Sequence, residues 1–334
     1  NTFLGWMNTP AESYDYTYQY AMTCILGMVF IYGYNLVSAI MRGMGDSKRP
    51  FLFIAVAAVA NLILDLVFVA GFQMGPFGAA LATVMGQAIS FIWAIIHLYR
   101  RREAFGFDFK PASFRPDMEV LPRLVKLGLP MCLQSAAISI SQMVVNSYIN
   151  SYGVVASAVT GVGNKLAAIT AVVTNALSTA GASMVGQNIG AEKYDRIPRI
   201  VGVSFLIDMA FAILLSLITA LFPRSIFGIF NSDPEVLDMA MTYVPVSVLL
   251  YLGFGMRSPF FALINGCGNA KLNLAVGLLD GVICRIGLAL LLGLALNMGI
   301  MGFWLGNAFA GYMPFVVGGI FFLTGAWKTR KLIS

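Results

Sequence analysis

Charge and histidine are scarce in this sequence. Asp, Glu, Lys and Arg make up 11% of its 334 residues, and His97 is the single histidine. Soluble domains carry roughly 25% charged residues, so a chain this apolar presents more hydrocarbon surface than a water-facing fold of its length absorbs. The shortage of histidine, with no cluster of His, acids and nucleophiles at either end of an apolar run, argues against a membrane-embedded enzyme. His97 stands just before "LYRRR" and reads as an interfacial side chain. The four cysteines, Cys24, Cys132, Cys267 and Cys284, have no paired or metal-ligating spacing and read as small packing residues. No metal and no organic cofactor is expected. No GxxxxGK[ST] phosphate loop occurs, and no nucleic-acid partner is expected. No signal peptide is visible and the first residue is Asn1 rather than Met, from which a missing upstream segment is expected.

What the chain has in abundance is hydrocarbon. It is 59% hydrophobic with a mean hydropathy of +0.81. Apolar runs of about twenty residues, each able to cross roughly 30 Å of hydrocarbon as a helix, recur at 17–41, 50–72, 77–99, 127–149, 156–185, 199–222, 239–264, 273–296 and 300–325. The run at 156–185 is long enough to imply tilt or a break, and Pro130, Pro245, Pro259 and Pro314 fall inside runs where they can bend a helix. The sequence thus predicts an all-α integral membrane protein. With nine alternating spans, 17 of the 21 Lys and Arg residues fall in the even connections and the C-terminal tail, Arg224 alone falls in an odd one, and Lys165, Arg257 and Arg285 lie within spans. That asymmetry places the even connections and the C-terminus in the cytoplasm.

The polar knot "MRGMGDSKRP" at 41–50 is one of those cytoplasmic turns, and it has a twin. "RGMGDSKRP" is matched 223 residues on by "NGCGNAKLN", which aligns Gly43, Gly45 and Lys48 with Gly266, Gly268 and Lys271. "NTPAE" at 8–12 pairs with "NSDPE" at 231–235, and "QMGPFG" at 73–78 with "NMGIMG" at 297–302. Both copies run external turn, span, Gly-rich cytoplasmic turn, span, short Met-Gly turn, span, in the same orientation. This describes a parallel repeat about an axis along the membrane normal. Because three spans precede the second copy, three are expected before the first. The expected parent has two six-helix bundles, of which nine of twelve transmembrane helices are present. Gly43 and Gly45 are expected to take positive φ in a tight reversal, Asp46 to cap the following helix, and Arg42 to face the anionic leaflet. The turn reads either as a corner that fixes topology or as a gate in which Arg42 or Asp46 pairs with another cytoplasmic turn.

These residues resemble a known family. "AIMRGMGDSKRP" resembles the signature of multidrug and toxic compound extrusion (MATE) transporters, "SMVGQNIGAEKYDRIPR" at 183–199 resembles the second cytoplasmic turn within a half, and "GLPMCLQSAAISISQMVVNSYINSYG" at 128–153 is similar to the opening helix of the C-terminal half in the bacterial branch. The resemblance implies an N-terminal lobe in part at 1–99 (helices 4–6), a cytoplasmic linker at 100–126 and a C-terminal lobe at 127–334 (helices 7–12). It also implies a multi-pass protein of the bacterial cytoplasmic membrane, working as a monomer among lipids.

Charges within spans are functional suspects because they cost roughly 2.5–3.5 kcal/mol near the bilayer centre. Asp65 lies midway along its span with Asn61 one turn earlier on the same face. Asn35 and Thr83 in the flanking spans lie at compatible depths. The resemblance carries a cation-coupling site onto Asp65, Asn61, Asn35 and Thr83 one by one, while the family's first-helix Asp has no counterpart here. A purely structural Asp65, locking three helices by hydrogen bonds, is the plainer reading. Lys165, Asp208, Arg257, Asp280 and Arg285 are the other expected buried charges; Asp280 and Arg285, five residues apart, are too far round an ideal α-helix to pair, so each is expected to bridge elsewhere. Where some family members carry a Glu on helix 7, this chain has Gln134 and Gln142. The implied function is a secondary active antiporter exporting amphipathic organic cations in exchange for H⁺ or Na⁺. The alternative is a lipid-linked saccharide or metabolite exporter of the same superfamily.

Overall fold

The computed structural model of the protein describes residues 11–328. Among these residues every regular element is helical, and nine helices are long and apolar enough to span a membrane. Hydrocarbon offers backbone groups no partners, so a spanning segment must satisfy them internally. The all-α membrane fold expected from the sequence is therefore the one observed. The chain divides into two compact units, Asn1–Pro116 and Asp117–Ser334.

In the first unit α1 covers Ala11–Gly43, α2 covers Lys48–Asp65 and continues as a π-helical stretch Leu66–Gly71, and α3 covers Gly75–Arg100. α3 is the middle helix, with α1 and α2 each packed along it and barely touching one another. Small residues permit that approach. A Cβ on Gly86 of α3 would lie 3.1 Å from the Ala57 carbonyl and from Asn61 Cβ on α2. Two side-chain bonds tie the helices at the connection end: Ser90 Oγ donates to the Phe53 carbonyl (3.0 Å) and the Tyr34 hydroxyl to the Pro50 carbonyl (2.6 Å). Around them Tyr34, Val37, Met41, Phe53, Ala94 and Leu98 form a buried cluster. Leu26, Leu62 and Leu66 stand outward, 62–72% exposed, as side chains facing lipid should.

In the second unit α4 is Val120–Asn150, α5 is Val154–Gly190, α6 is Ile197–Leu221, α7 is Pro234–Gly266, α8 is Ala270–Ala295 and α9 is Ile300–Leu323. α7 is its hub and packs on α5, α6 and both parts of α9, while α4 lies mainly along α8. The core is aromatic. Tyr243 meets Trp304 edge-on at 4.8 Å, and Trp304 Nε1 donates to Thr160 Oγ1 at 2.9 Å, whose own proton goes to the Ala156 carbonyl at 2.8 Å. α5 runs unbroken for 37 residues, about 55 Å at 1.5 Å per residue, so it outreaches the hydrocarbon without the break its length suggested. The interruption falls instead in α9 at Gly311–Tyr312, with Pro314 opening the helical segment that follows. That is where a residue lacking an N–H is best tolerated.

The internal repeat extends to individual backbone bonds. α1 ends with Asp46 N donating to the Met41 carbonyl and Gly45 N to Arg42, and α7 ends with Asn269 N donating to Ile264 and Gly268 N to Asn265. Each is a six-to-one helix stop around a left-handed glycine, Gly45 at φ 89° and Gly268 at φ 61°. Farther on, α2 leaves the bilayer through Phe72 N→Val67 O and Met74 N→Phe68 O, and α8 through Leu296 N→Leu291 O and Met298 N→Leu292 O. Gln73 and Gly75 then take φ 53° and 56°, and Asn297 and Gly299 φ 52° and 60°.

Two expectations at the knot need correction. Gly43 ends a helix with ordinary φ and open space around its Cα; only the second glycine of each pair makes the reversal. Its counterpart Gly266 is needed for packing, because a Cβ there would press on Val185 Cβ at 2.6 Å and the Ala182 carbonyl at 2.7 Å. Asp46 does cap, with Oδ1 accepting from Arg49 N at 3.4 Å, and it also pairs with the Arg49 guanidinium. Its ionic partner therefore lies inside its own turn.

Candidate functional site

Each unit holds a cavity with a polar lining. In the first, α2 and α3 enclose a cavity of about 160 Å³ whose polar lining is Asn61, Thr83 and Gln87. Asn61 reaches it because Gly86 opposite has no side chain. Thr83 and Gln87 are four apart on α3 and share a face; Thr83 Oγ1 gives its proton to the Ala79 carbonyl at 3.0 Å, leaving lone pairs for the cavity. Asp65, one turn beyond Asn61, is half-buried where α2 turns into its π-helical stretch. Among the described residues, Asn61 Nδ2 and Asp65 Oδ1 are buried without a hydrogen-bond partner. Tyr20 of α1 is close enough to Asp65 to interact with it electrostatically.

The structure thus brings Asn61 and Thr83 to one cavity and leaves Asp65 beside it with an oxygen to spare. Asn35 is not brought in: it lies on the exposed face of α1 and donates to the Ile31 carbonyl of its own helix at 2.9 Å. Gln87 escaped the sequence reading, although its four-residue spacing from Thr83 was the signal for it.

In the second unit a cavity of about 310 Å³ opens between α4, α5, α7, α8 and α9, with Gln142, Asn146, Asn164 and Asn307 presenting amides and Arg257 and Arg285 presenting guanidinium groups. Arg285 is 3% exposed. Its Nη2 bonds Asp280 Oδ1 at 2.8 Å and its Nη1 bonds the Asn307 side-chain and backbone oxygens. The expectation that Asp280 and Arg285 cannot pair is overturned. Residues 278–286 form a π-helix, whose wider turn brings residues five apart onto one face. Arg257 stacks its Cζ 4.2 Å from the centroid of Phe254.

The remaining suspects divide. Lys165 is exposed, with its ammonium 5.7 Å from the Phe230 ring, so it is not a buried charge. Asp208 is fully buried on α6, and among the described residues neither carboxylate oxygen has a hydrogen-bond partner; Ser258 gives its proton to the Thr174 carbonyl at 2.8 Å. Of the four cavity amides the sequence drew attention only to Gln142; Asn146, Asn164 and Asn307 come from α4, α5 and α9 and share no local pattern.

The family model for MatE matches residues 130–291. The probable multidrug resistance protein YoeA of Bacillus subtilis is 26% identical over 98% of this chain and 71% of its own length. The chain is similar to MATE transporters along nearly its whole length. A MOP superfamily transporter from Pyrococcus furiosus, at 20% identity, shares the fold with a TM-score of 0.89 over 98% of this chain and 74% of that one. The FAD transporter of Shewanella oneidensis is 26% identical over 75% of this chain and 56% of its own length.

Proposed function

We propose that this protein is a secondary active exporter of small organic molecules, driven by inward flow of H⁺ or Na⁺ and working by alternating access, with Asp65 as the coupling group. The observation that carries this reading is the pair Asn61 and Asp65, each with a buried polar atom that none of the described residues satisfies, with Asn61 lining a cavity that has room for a small cation and a few waters. An unsatisfied carboxylate among apolar helices is costly, and a proton or a cation coordinated by Asp65, Asn61 and Thr83 removes that cost. A site whose occupancy changes its own energy so strongly biases the protein between two conformations. Each charge entering with the membrane potential contributes roughly 2.3 kcal/mol per 100 mV to the work of export.

The substrate class expected first is an amphipathic organic cation, as the multidrug resistance name of the Bacillus relative suggests. A metabolite exporter is the second reading, and the guanidinium-lined cavity favours it. One relative is named as an FAD transporter, and a reversed polarity of the binding pocket is described for the Pyrococcus protein as suggesting a different function. In both readings the even connections and the C-terminus face the cytoplasm.

The test is ethidium efflux from proteoliposomes under an imposed pH gradient and then a sodium gradient, with the wild type and Asp65→Asn. Efflux driven by one gradient and lost in the variant is the expected result. Gradient-driven efflux that survives Asp65→Asn overturns the coupling role.

A further inference from the structure

The cavity of the second unit carries more positive charge than its own residues balance. Arg257 and Arg285 line it, and Asp280 joins the cluster through its bond to Arg285. Asp280 gives Oδ1 to Arg285 at 2.8 Å, and Arg285 spends its remaining terminal donor on Asn307. Arg257 has no ion pair and no hydrogen bond among the described residues, and its one close partner is the face of Phe254. It is near enough to feel both Asp280 and Arg285. The cluster therefore carries one excess positive charge, held on a half-buried guanidinium that opens into a cavity of about 310 Å³. Asp208, the other buried acid of this unit, lies beneath the Gly255–Ser258 side of α7, where its backbone carbonyl is 3.1 Å from an ideal Cβ on Gly255. It does not line the cavity.

A guanidinium with its donors unused is a poor resident of a membrane interior unless an anion completes it. The fork of an arginine matches the two oxygens of a carboxylate or a phosphate in-plane. The amides of Asn146, Asn164 and Gln142 line the same space and carry N–H donors for further oxygens of a bound anion, while Phe254 supplies a flat wall. We infer that this cavity is an oxyanion-binding site within the C-terminal unit, taking the carboxylate or phosphate head of a small organic anion on Arg257. The site goes beyond ion coupling at Asp65 and stands on different residues.

Its test is equilibrium binding without any gradient, so that it succeeds or fails independently of coupled transport. The protein is placed in phosphatidylcholine nanodiscs and titrated with radiolabelled benzoate, with benzamide and benzylamine as competitors of the same shape without a negative charge. Benzoate should bind saturably and neither competitor should displace it. Arg257→Gln should weaken binding by about tenfold or more, the usual consequence of losing a charge-assisted bidentate contact, and Arg257→Lys should weaken it less. Ala168→Phe, which fills the cavity from α5 and leaves the guanidinium in place, should abolish binding, and a melting transition retained in each variant separates lost binding from lost folding. Loss of benzoate binding on adding phosphatidylglycerol identifies a lipid headgroup as the anion that fills the site; undiminished binding assigns it to a free solute. Absence of benzoate binding, displacement by benzylamine, or wild-type affinity in Arg257→Gln overturns the proposal.

Discussion

Replacing Asp280 by Asn keeps the shape of the side chain and removes the negative charge paired with Arg285. Both residues are essentially inaccessible, at 0% and 3% exposure, and joined by a 2.8 Å bond within the π-helix at 278–286. Leaving one member of a buried pair uncompensated costs about 3–5 kcal/mol, because the survivor keeps its desolvation penalty without its partner. For a unit of this size a loss of 1 kcal/mol lowers the melting temperature by roughly 2–4 °C, so Asp280→Asn should melt about 6–20 °C below the wild type. Thermal unfolding read by a thiol-reactive dye suits the protein, since Cys267 is 3% exposed and reacts only on opening. Exposed Cys132 is first replaced by Ser to remove the background. The decisive companion is Asp280→Leu with Arg285→Met, which removes both charges together and should recover most of the lost stability. A single variant that melts with the wild type, or a double variant that melts as low as the single, refutes the ion-pair reasoning.

Two further outcomes follow from packing and topology. A Cβ on Gly306 would lie 2.5 Å from Ala289 Cα, so Gly306→Ala should force α8 and α9 apart and cost about 1–3 kcal/mol, whereas Gly202→Ala, with nothing within 4 Å, should be neutral or stabilising; equal melting temperatures for the two would show that the contact does not matter. On intact cells a membrane-impermeant maleimide should label Arg224→Cys directly and Lys110→Cys only after permeabilisation, and the reverse pattern would invert the proposed orientation.

Much of this architecture was legible because its causes are local. A span needs about twenty apolar residues whatever surrounds it, and a helix stop needs a glycine that reaches positive φ, which Gly45 and Gly268 announce by their spacing. Basic residues report orientation because crossing the bilayer is costly for each one alone. Asn61 and Asp65, four apart on one helix, share a face without help from any other element.

What tertiary structure decided were quantities that depend on a second helix or on a change of helical period. The spacing of Asp280 and Arg285 excluded a pair for 3.6 residues per turn and permitted one when the chain widened to a π-helix, a choice the five-residue interval alone does not reveal. Gly43 and Gly266 look identical in the repeat, yet the first stands in open space and the second is held by Val185 and Ala182. Asn35 lies on the exposed face of its helix, and Lys165 sits within an apolar run on its exposed side. Above all, the second cavity gathers its amides from α4, α5 and α9 around arginines of α7 and α8. The sequence by itself determined which segments lie in the membrane and how they repeat, because transfer into hydrocarbon is summed residue by residue along the chain. Only the packed helices decided which polar side chains share a cavity, because that depends on the rotation of each helix about its own axis.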